Sequence, residues 1–548
     1  MPEHADLVVT GGRVFDGRVR TDSTAVAVTG GRIVRVGSDD DVHALTGPRT
    51  RIVDAGGALI HPGFVDAHVH AVFAGVERLS LDLTGARTVE ETLEQIRIGA
   101  ERSDAAWLTG GGWDHDLFPH PTRHQLDAIV PDRPVALSDA GHHTLWVNTR
   151  ALELAGVDRS TPQPHNGEIH LDAAGDPSGY LNETAAELVG RVIPASTPQE
   201  MVAGLLNAQD HLWSLGVTGW HEAILGEYNG KADGTPAYLR AIADGTLSSL
   251  ASGALWIAPG LRLEDVPDLV DRFVAARERN GDAGFDTSTA KAMIDGVPHG
   301  ETAALLEPYC SHAEDGFSGE LHFDEATISA FVSRLDAAGF ALHLHIMGDR
   351  GIRVALDAIE EARAVNGSGP RHHIAHLSMV QPEDARRFGP LGVTANIQGL
   401  WAAPDPFLAS MIGEERMQTG YPFRTMADGG AELAMGSDWP VSPADPWLAI
   451  HVAVNRWAPA PPGHSPAPAG VEPPTLDAEH QSLTLAQALG AYTSGSSALV
   501  LGRSGRLCVG ERADLVVATA DPFDLPLSQI AAVRSRVTVV AGDVVHEM

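Results

Sequence analysis

A chain of 548 residues, 43% hydrophobic and 20% charged, has the composition of a globular protein with a large core, long enough for about three average domains or one large barrel with additions. A net charge of −34 argues against the basic surface that nucleic acid or an anionic membrane requires, and two cysteines, Cys310 and Cys508, leave no disulfide framework and fit a reducing cytosol. No basic stretch leads into an apolar one at the start, and no apolar run reaches membrane-spanning length, so a cytoplasmic protein is expected.

In chain order, residues 5–17 read as two short strands around Gly11-Gly12, and 24–37 repeat the pattern around Gly30-Gly31. Residues 51–54 add a strand. The far end answers: Ala-Asp-Leu-Val-Val recurs at 5–9 and 513–517, and 534–545 form a hairpin around Ala541-Gly542-Asp543. Strands this short are marginal alone, so residues 1–60 and 501–548 are expected to pair in one small antiparallel β unit.

Residues 61–500 have another rhythm. Thr197-Pro198 and Glu200 open a helix that stops at Gly216, before a strand at 217–221. Asp324 caps a second helix, ended by Gly339 and followed by a strand at 340–346. Further helix–strand units run 382–398 and 423–436. Repeated units of this kind make a parallel sheet, with polar residues where the strands end. A (β/α)8 TIM barrel is expected, a doubly wound sheet being the alternative. Residues 75–195 are too long for one crossover and are expected to form a cap inserted after the first barrel strand, with a helix opening at Thr88. Residues 457–476 are a proline-rich loop without assigned chemistry.

Five polar strand ends stand out. Residues 59–70 close on Asp66, His68 and His70, which share one strand face while Val65, Ala67 and Val69 take the other. Two imidazoles so placed can grip one metal ion. Lys291 lies in an otherwise apolar strand at 289–296, where a charged amine is costly unless its head reaches the strand end. His343 and His345 share a face, so periodicity cannot choose between them. His372, His373 and His376 compete in the next strand, and 436–440 read Gly-Ser-Asp-Trp-Pro around Asp438. Singly each is an ordinary polar residue; together, at successive strand ends, they read as a metal site.

The run from Pro62 to His70 resembles the first-strand motif of the amidohydrolase superfamily. His142 with Trp146 and Asn148, Lys291 with Asp295-Gly296, His345-Ile-Met-Gly-Asp349, His376, Asp438 and 510–517 extend that resemblance to the YtcJ-like branch, amidohydrolase family 3, which includes N-substituted formamide deformylases. The resemblance implies a metal-bearing barrel with a β-sandwich built from both chain ends. It implies one or two divalent ions, zinc first, held by His68, His70 and Asp438 and by His345 and His376. Lys291 matches a lysine whose carbamate bridges two metals in many relatives, and Glu183 is the rival bridge. His142, His299, Trp439 and Trp113 become substrate-pocket candidates, Trp113 equally a core residue of the cap. The implied reaction is hydrolysis of an amide C–N bond in a small molecule, N-substituted formamides being one candidate, by hydroxide generated at the metal with Asp438 as proton shuttle. Cyclic-amide hydrolysis, deamination and a non-catalytic scaffold are the alternatives. A small-molecule amide is the expected partner, with self-association left open.

Overall fold

A computed structural model describes residues 4–114, 117–118, 120–139, 144–164, 167–228, 231–459 and 473–548. The backbone divides into two units. One comprises Met1–His70, Gln209–Leu225 and Ile242–Met548; the other comprises Ala71–Ala208 and Gly226–Ala241.

The first unit is built on eight parallel strands: β1 (Phe64–Val69), β2 (Val217–Leu225), β3 (Leu250–Trp256), β4 (Asp286–Met293), β5 (Ala341–Ile346), β6 (His373–His376), β7 (Thr394–Ile397) and β8 (Leu433–Met435), each beside the next. Backbone bonds near the strand ends link β8 back to β1: Asp438 N donates to His68 O (2.7 Å) and His70 N to Trp439 O (2.9 Å). This is the expected barrel. A parallel sheet covered on both faces has buried strands, and all six residues of β1 and all nine of β2 are buried. Alternation then sorts the side chains of β1. Val65 and Ala67 pack with Ala434 and Val500 on the outside, which leaves Asp66 and His68 to the interior.

The chain ends form two sheets packed on one core. Arg32–Gly37, Ala25–Thr29, Leu7–Thr10 and Arg51–Asp54 make the first; Arg13–Val14, Leu59–Pro62, Leu515–Ala518, Ser535–Val540 and Asp543–Glu547 make the second. Leu7, Val9, Val26, Val28 and Val53 meet Val14, Ile60, Leu515, Val517, Val537 and Val539 between them. The expectation of a single antiparallel unit is corrected here. Leu7–Thr10 and Arg13–Val14 belong to different sheets, and each pairs in parallel with a later strand, Arg51–Asp54 and Leu59–Pro62. Gly11, at φ +67°, turns the corner between them, and a Cβ on Gly12 would lie 2.6 Å from Ile60 Cδ1.

The second unit holds a six-stranded sheet in the order Gly167–Leu171, Pro177–Glu183, Thr144–Val147, Val135–Asp139, Leu108–Trp113, Leu81–Asp82. Separate apolar clusters pack around Trp113, Trp146 and Tyr180 and around Leu152, Leu181 and Val189. Its helix Val89–Arg102 starts where Thr88 Oγ1 accepts from Glu91 N (3.1 Å). Among the described residues no helix is long and apolar enough to cross a membrane. Residues 460–472 of the proline-rich stretch lie outside the described residues.

Candidate metal centre at the strand ends of the barrel

His68 lies near the end of β1 and His70 just beyond it. After β8 the chain turns through Gly436, where a Cβ would meet His68 N at 2.5 Å, and reaches Asp438 at φ +59°. Asp66 secures this turn, its Oδ1 accepting from His68 N (3.1 Å) and Ser437 N (3.0 Å). Asp438 Oδ1 thereby comes 3.2 Å from His68 Nε2 and 3.1 Å from His70 Nε2. Ligands about 2.0–2.1 Å from a tetrahedral ion stand roughly 3.3 Å apart, so these spacings suit neighbours on one cation.

His376 ends β6 at φ +76°, with its N donating to Gln398 Oε1 (2.7 Å). Its ring lies flat against Trp401, with centroids 5.0 Å apart, and 4.2 Å from the ring of His345. The ligand atoms of His68, His376 and Asp438 lie within 4.8 Å of one another, all three residues being buried. Left-handed backbone at His376 and Asp438 costs about 1–2 kcal/mol each, and such residues collect at functional sites. Among the described residues, both ring nitrogens of His376, Nε2 of His345 and Nζ of Lys291 are buried without a hydrogen-bond partner. Buried polar atoms are ordinarily paired, so this concentration of unpartnered nitrogens, with a lone pair on each neutral imidazole, fits a cation.

The electrostatics agree. Burial, with the nearby charge of Lys291, pushes the His68 imidazole down to about 3, and burial likewise holds His345 at about 3. These rings stay neutral and keep their lone pairs. Burial lowers Lys291 to about 7 against the opposing pull of Asp438. Burial would raise the Asp438 carboxyl, but His68 and His70 outweigh it and keep it ionised.

Below these groups lies an inner layer. His343 is wholly buried, with Nε2 3.0 Å from His68 Nδ1, and its ring centroid is 4.3 Å from that of His373 and 5.4 Å from that of His221. His372 faces away, pairing with Asp336 (3.0 Å). Among the pocket candidates, His299 is held by Asp405 (2.8 Å) and stacks on Phe407, while Trp439 packs on His211, centroids 5.0 Å apart. Trp113 is fully buried in the core of the other unit, its Nε1 donating to Leu137 O (3.0 Å). Glu183 also belongs to that unit, exposed at φ +50° at the end of Pro177–Glu183. His142 lies outside the described residues. Sequence reasoning gave no part to Gln398 or Trp401; both follow β7, whose end held no histidine or carboxylate to draw attention.

Comparison with known proteins places the chain by family and by fold. The amidohydrolase family profile matches residues 51–546. The chain is 30% identical to the YtcJ protein of Bacillus subtilis (strain 168), which carries a provisional amidohydrolase name, over 98% of both chains. It is 27% identical to the N-substituted formamide deformylase of Arthrobacter pascens, over 100% of this chain and 99% of that one. Among solved structures, an uncharacterized metal-dependent hydrolase from Pyrococcus furiosus is 26% identical and superposes with a TM-score of 0.71, covering 93% of this chain and 98% of that one.

Proposed function

The chain belongs to the amidohydrolase family, and from that premise we propose that it hydrolyses a non-peptide C–N bond in a small-molecule amide, with N-substituted formamides the first class to test. The observation that carries the reading is the buried meeting of His68, His376 and Asp438, beside lone pairs left without partners. His68, His70 and Asp438 would hold one divalent ion, zinc first among candidates, and His345 and His376 a second, with Lys291 between. Such an ion supplies a water acidified toward neutral pH and a Lewis acid for the amide carbonyl.

The remaining work falls to side chains. Asp438, ionised and anchored through Oδ1 between two imidazoles, takes a proton from the attacking water and returns it to the leaving nitrogen. Burial lowers Lys291 to about 7 and so enlarges its neutral fraction; that neutral amine adds carbon dioxide at Nζ and releases a proton, which leaves an anionic carbamate. The family likeness to a deformylase supports the formamide class, and the acidic surface suits a small neutral substrate in the cytoplasm rather than a polyanion.

A panel of N-substituted formamides, other small amides and cyclic amides, assayed before and after metal removal, tests the reading. Formate release that disappears on chelation and returns with zinc is expected. Undiminished hydrolysis by protein shown metal-free by elemental analysis would overturn it.

A further inference from the structure

His221, His343 and His373 form a second buried group of histidines beneath the first, their ligand atoms within 4.8 Å of one another. A third cation is the obvious reading, and the hydrogen bonds oppose it. A neutral imidazole carries one N–H and one lone pair, and a metal needs the lone pair. Ser252 Oγ gives its proton to Val500 O (2.6 Å), so His221 Nδ1, 2.8 Å from that oxygen, must donate, which leaves the His221 lone pair on Nε2. Asn396 Nδ2 donates to Ala67 O (2.9 Å) and lies 3.2 Å from His373 Nδ1, so the His373 lone pair is already used. Of the three rings, only His221 has a lone pair free for a cation whatever His343 does.

What remains is one proton between His343 Nε2 and His68 Nδ1, 3.0 Å apart. If it sat on His343, then His343 Nδ1 would carry a lone pair. That atom and His221 Nε2 are both buried without a partner among the described residues, so two idle lone pairs would share one dry cluster. If it sits on His68, His343 carries its proton on Nδ1 and offers a donor to a layer that contains a spare acceptor. With a cation between His68 Nε2 and Asp438 Oδ1, the second arrangement is also the one that turns the His68 lone pair toward it.

We propose that His343 is a positioning residue: its Nε2 accepts the His68 Nδ1 proton and fixes the tautomer in which His68 Nε2 is a metal ligand. His221, anchored through Ser252, and His373, anchored through Asn396, orient the partner ring. The inference rests on the reading of His68 as a ligand. Metal-bound histidines ordinarily give their second N–H to a carboxylate, carbonyl or water. Here a second neutral histidine takes that place.

The test is zinc affinity, measured by competition with a chelator, in the full chain and three variants. His343→Gln carries a carbonyl oxygen about as far as Nε2; His343→Asn and His343→Met do not. Folding is checked by circular dichroism. The Asn and Met variants are expected to bind zinc roughly 10–100-fold more weakly, and the Gln variant to recover most of that loss. An Asn or Met variant that binds as tightly as the parent, or a Gln variant no better than Asn, overturns the proposal. A neutron map of the zinc-loaded parent serves if no variant folds. Deuterium on His68 Nδ1 is expected; deuterium on His343 Nε2 overturns the proposal. A parent that takes up no zinc removes the ligand reading and this inference together, whereas a zinc-binding parent matched by its Asn variant removes this inference alone.

Discussion

At the scale of single residues, the proposed mechanism asks most of the site to hold a metal and asks Asp438 to move a proton as well. Asp438→Asn keeps the size and one oxygen but cannot carry a proton. Activity is expected to fall by roughly 10²–10⁴-fold in a folded protein, the usual worth of general acid–base catalysis. A variant within a few-fold of the parent would take Asp438 out of the mechanism. Lys291 is wholly buried, with no hydrogen-bond partner for Nζ among the described residues, so its role is read by removing it. Lys291→Ala is expected to lose metal and activity together, and a short carboxylic acid in the buffer to restore part of both by filling the carbamate's place. Retention of the full metal content would rule the carbamate out. The types of these residues were legible in the sequence, but depth in the barrel was not. His343 and His345 share a strand face, and periodicity cannot choose between two positions roughly 6–7 Å apart along the strand.

At the scale of elements, the helix–strand rhythm was legible because its signals are local: Thr197 and Glu200 cap Pro198–Ser214 reciprocally, and Asp324 caps Glu325–Ala337. β3 escaped notice because Ser252 and Gly253 break its apolar run and it ends without an ionisable residue. The second unit's six-stranded sheet was not read from the sequence because its strands are mostly short and one of them is interrupted by Gly110, Gly111 and Gly112. Where sandwich meets barrel, the strand Leu59–Pro62 buries His61 against Phe64 and Trp447. Its Nδ1 donates to Pro62 O (2.8 Å), and burial lowers its pKa from 6.5 to about 4. The unfolded chain therefore binds a proton between pH 6.5 and 4 that the folded chain refuses. Stability contributed by neutral His61 is full above pH 6.5 and falls away as pH drops toward 4, by roughly 3 kcal/mol. In denaturant titrations across that window, His61→Leu should lessen the pH slope by up to one proton. An unchanged slope would contradict the assignment.

At the scale of the whole molecule, the chain is two units, and His68, His70, Lys291, His345, His376 and Asp438 all belong to the one that carries the barrel and the sandwich, whereas the rival bridge Glu183 belongs to the other. Linkage then makes a prediction about where metal acts. A ligand that binds only the folded state stabilises what folds to hold it, by about 2.7 kcal/mol at a free concentration a hundred times its Kd. A 548-residue chain with two cores need not unfold in one step. Calorimetry of the metal-free protein is expected to resolve two transitions. Adding zinc should raise the transition of the barrel unit and leave that of Ala71–Ala208 in place. The two can be told apart by hydrogen exchange along the melt, since protection in β1, β5 and β6 should rise with zinc while protection in Val135–Asp139 and Thr144–Val147 should not. The same experiment on Asp438→Asn should give a smaller shift, because one ligand has lost its charge. If the metal-free protein shows a single transition that zinc raises as a whole, the two units unfold as one. If it moves only the transition of Ala71–Ala208, the ion is held outside the barrel and the ligand set proposed from His68, His70, His345, His376 and Asp438 is wrong.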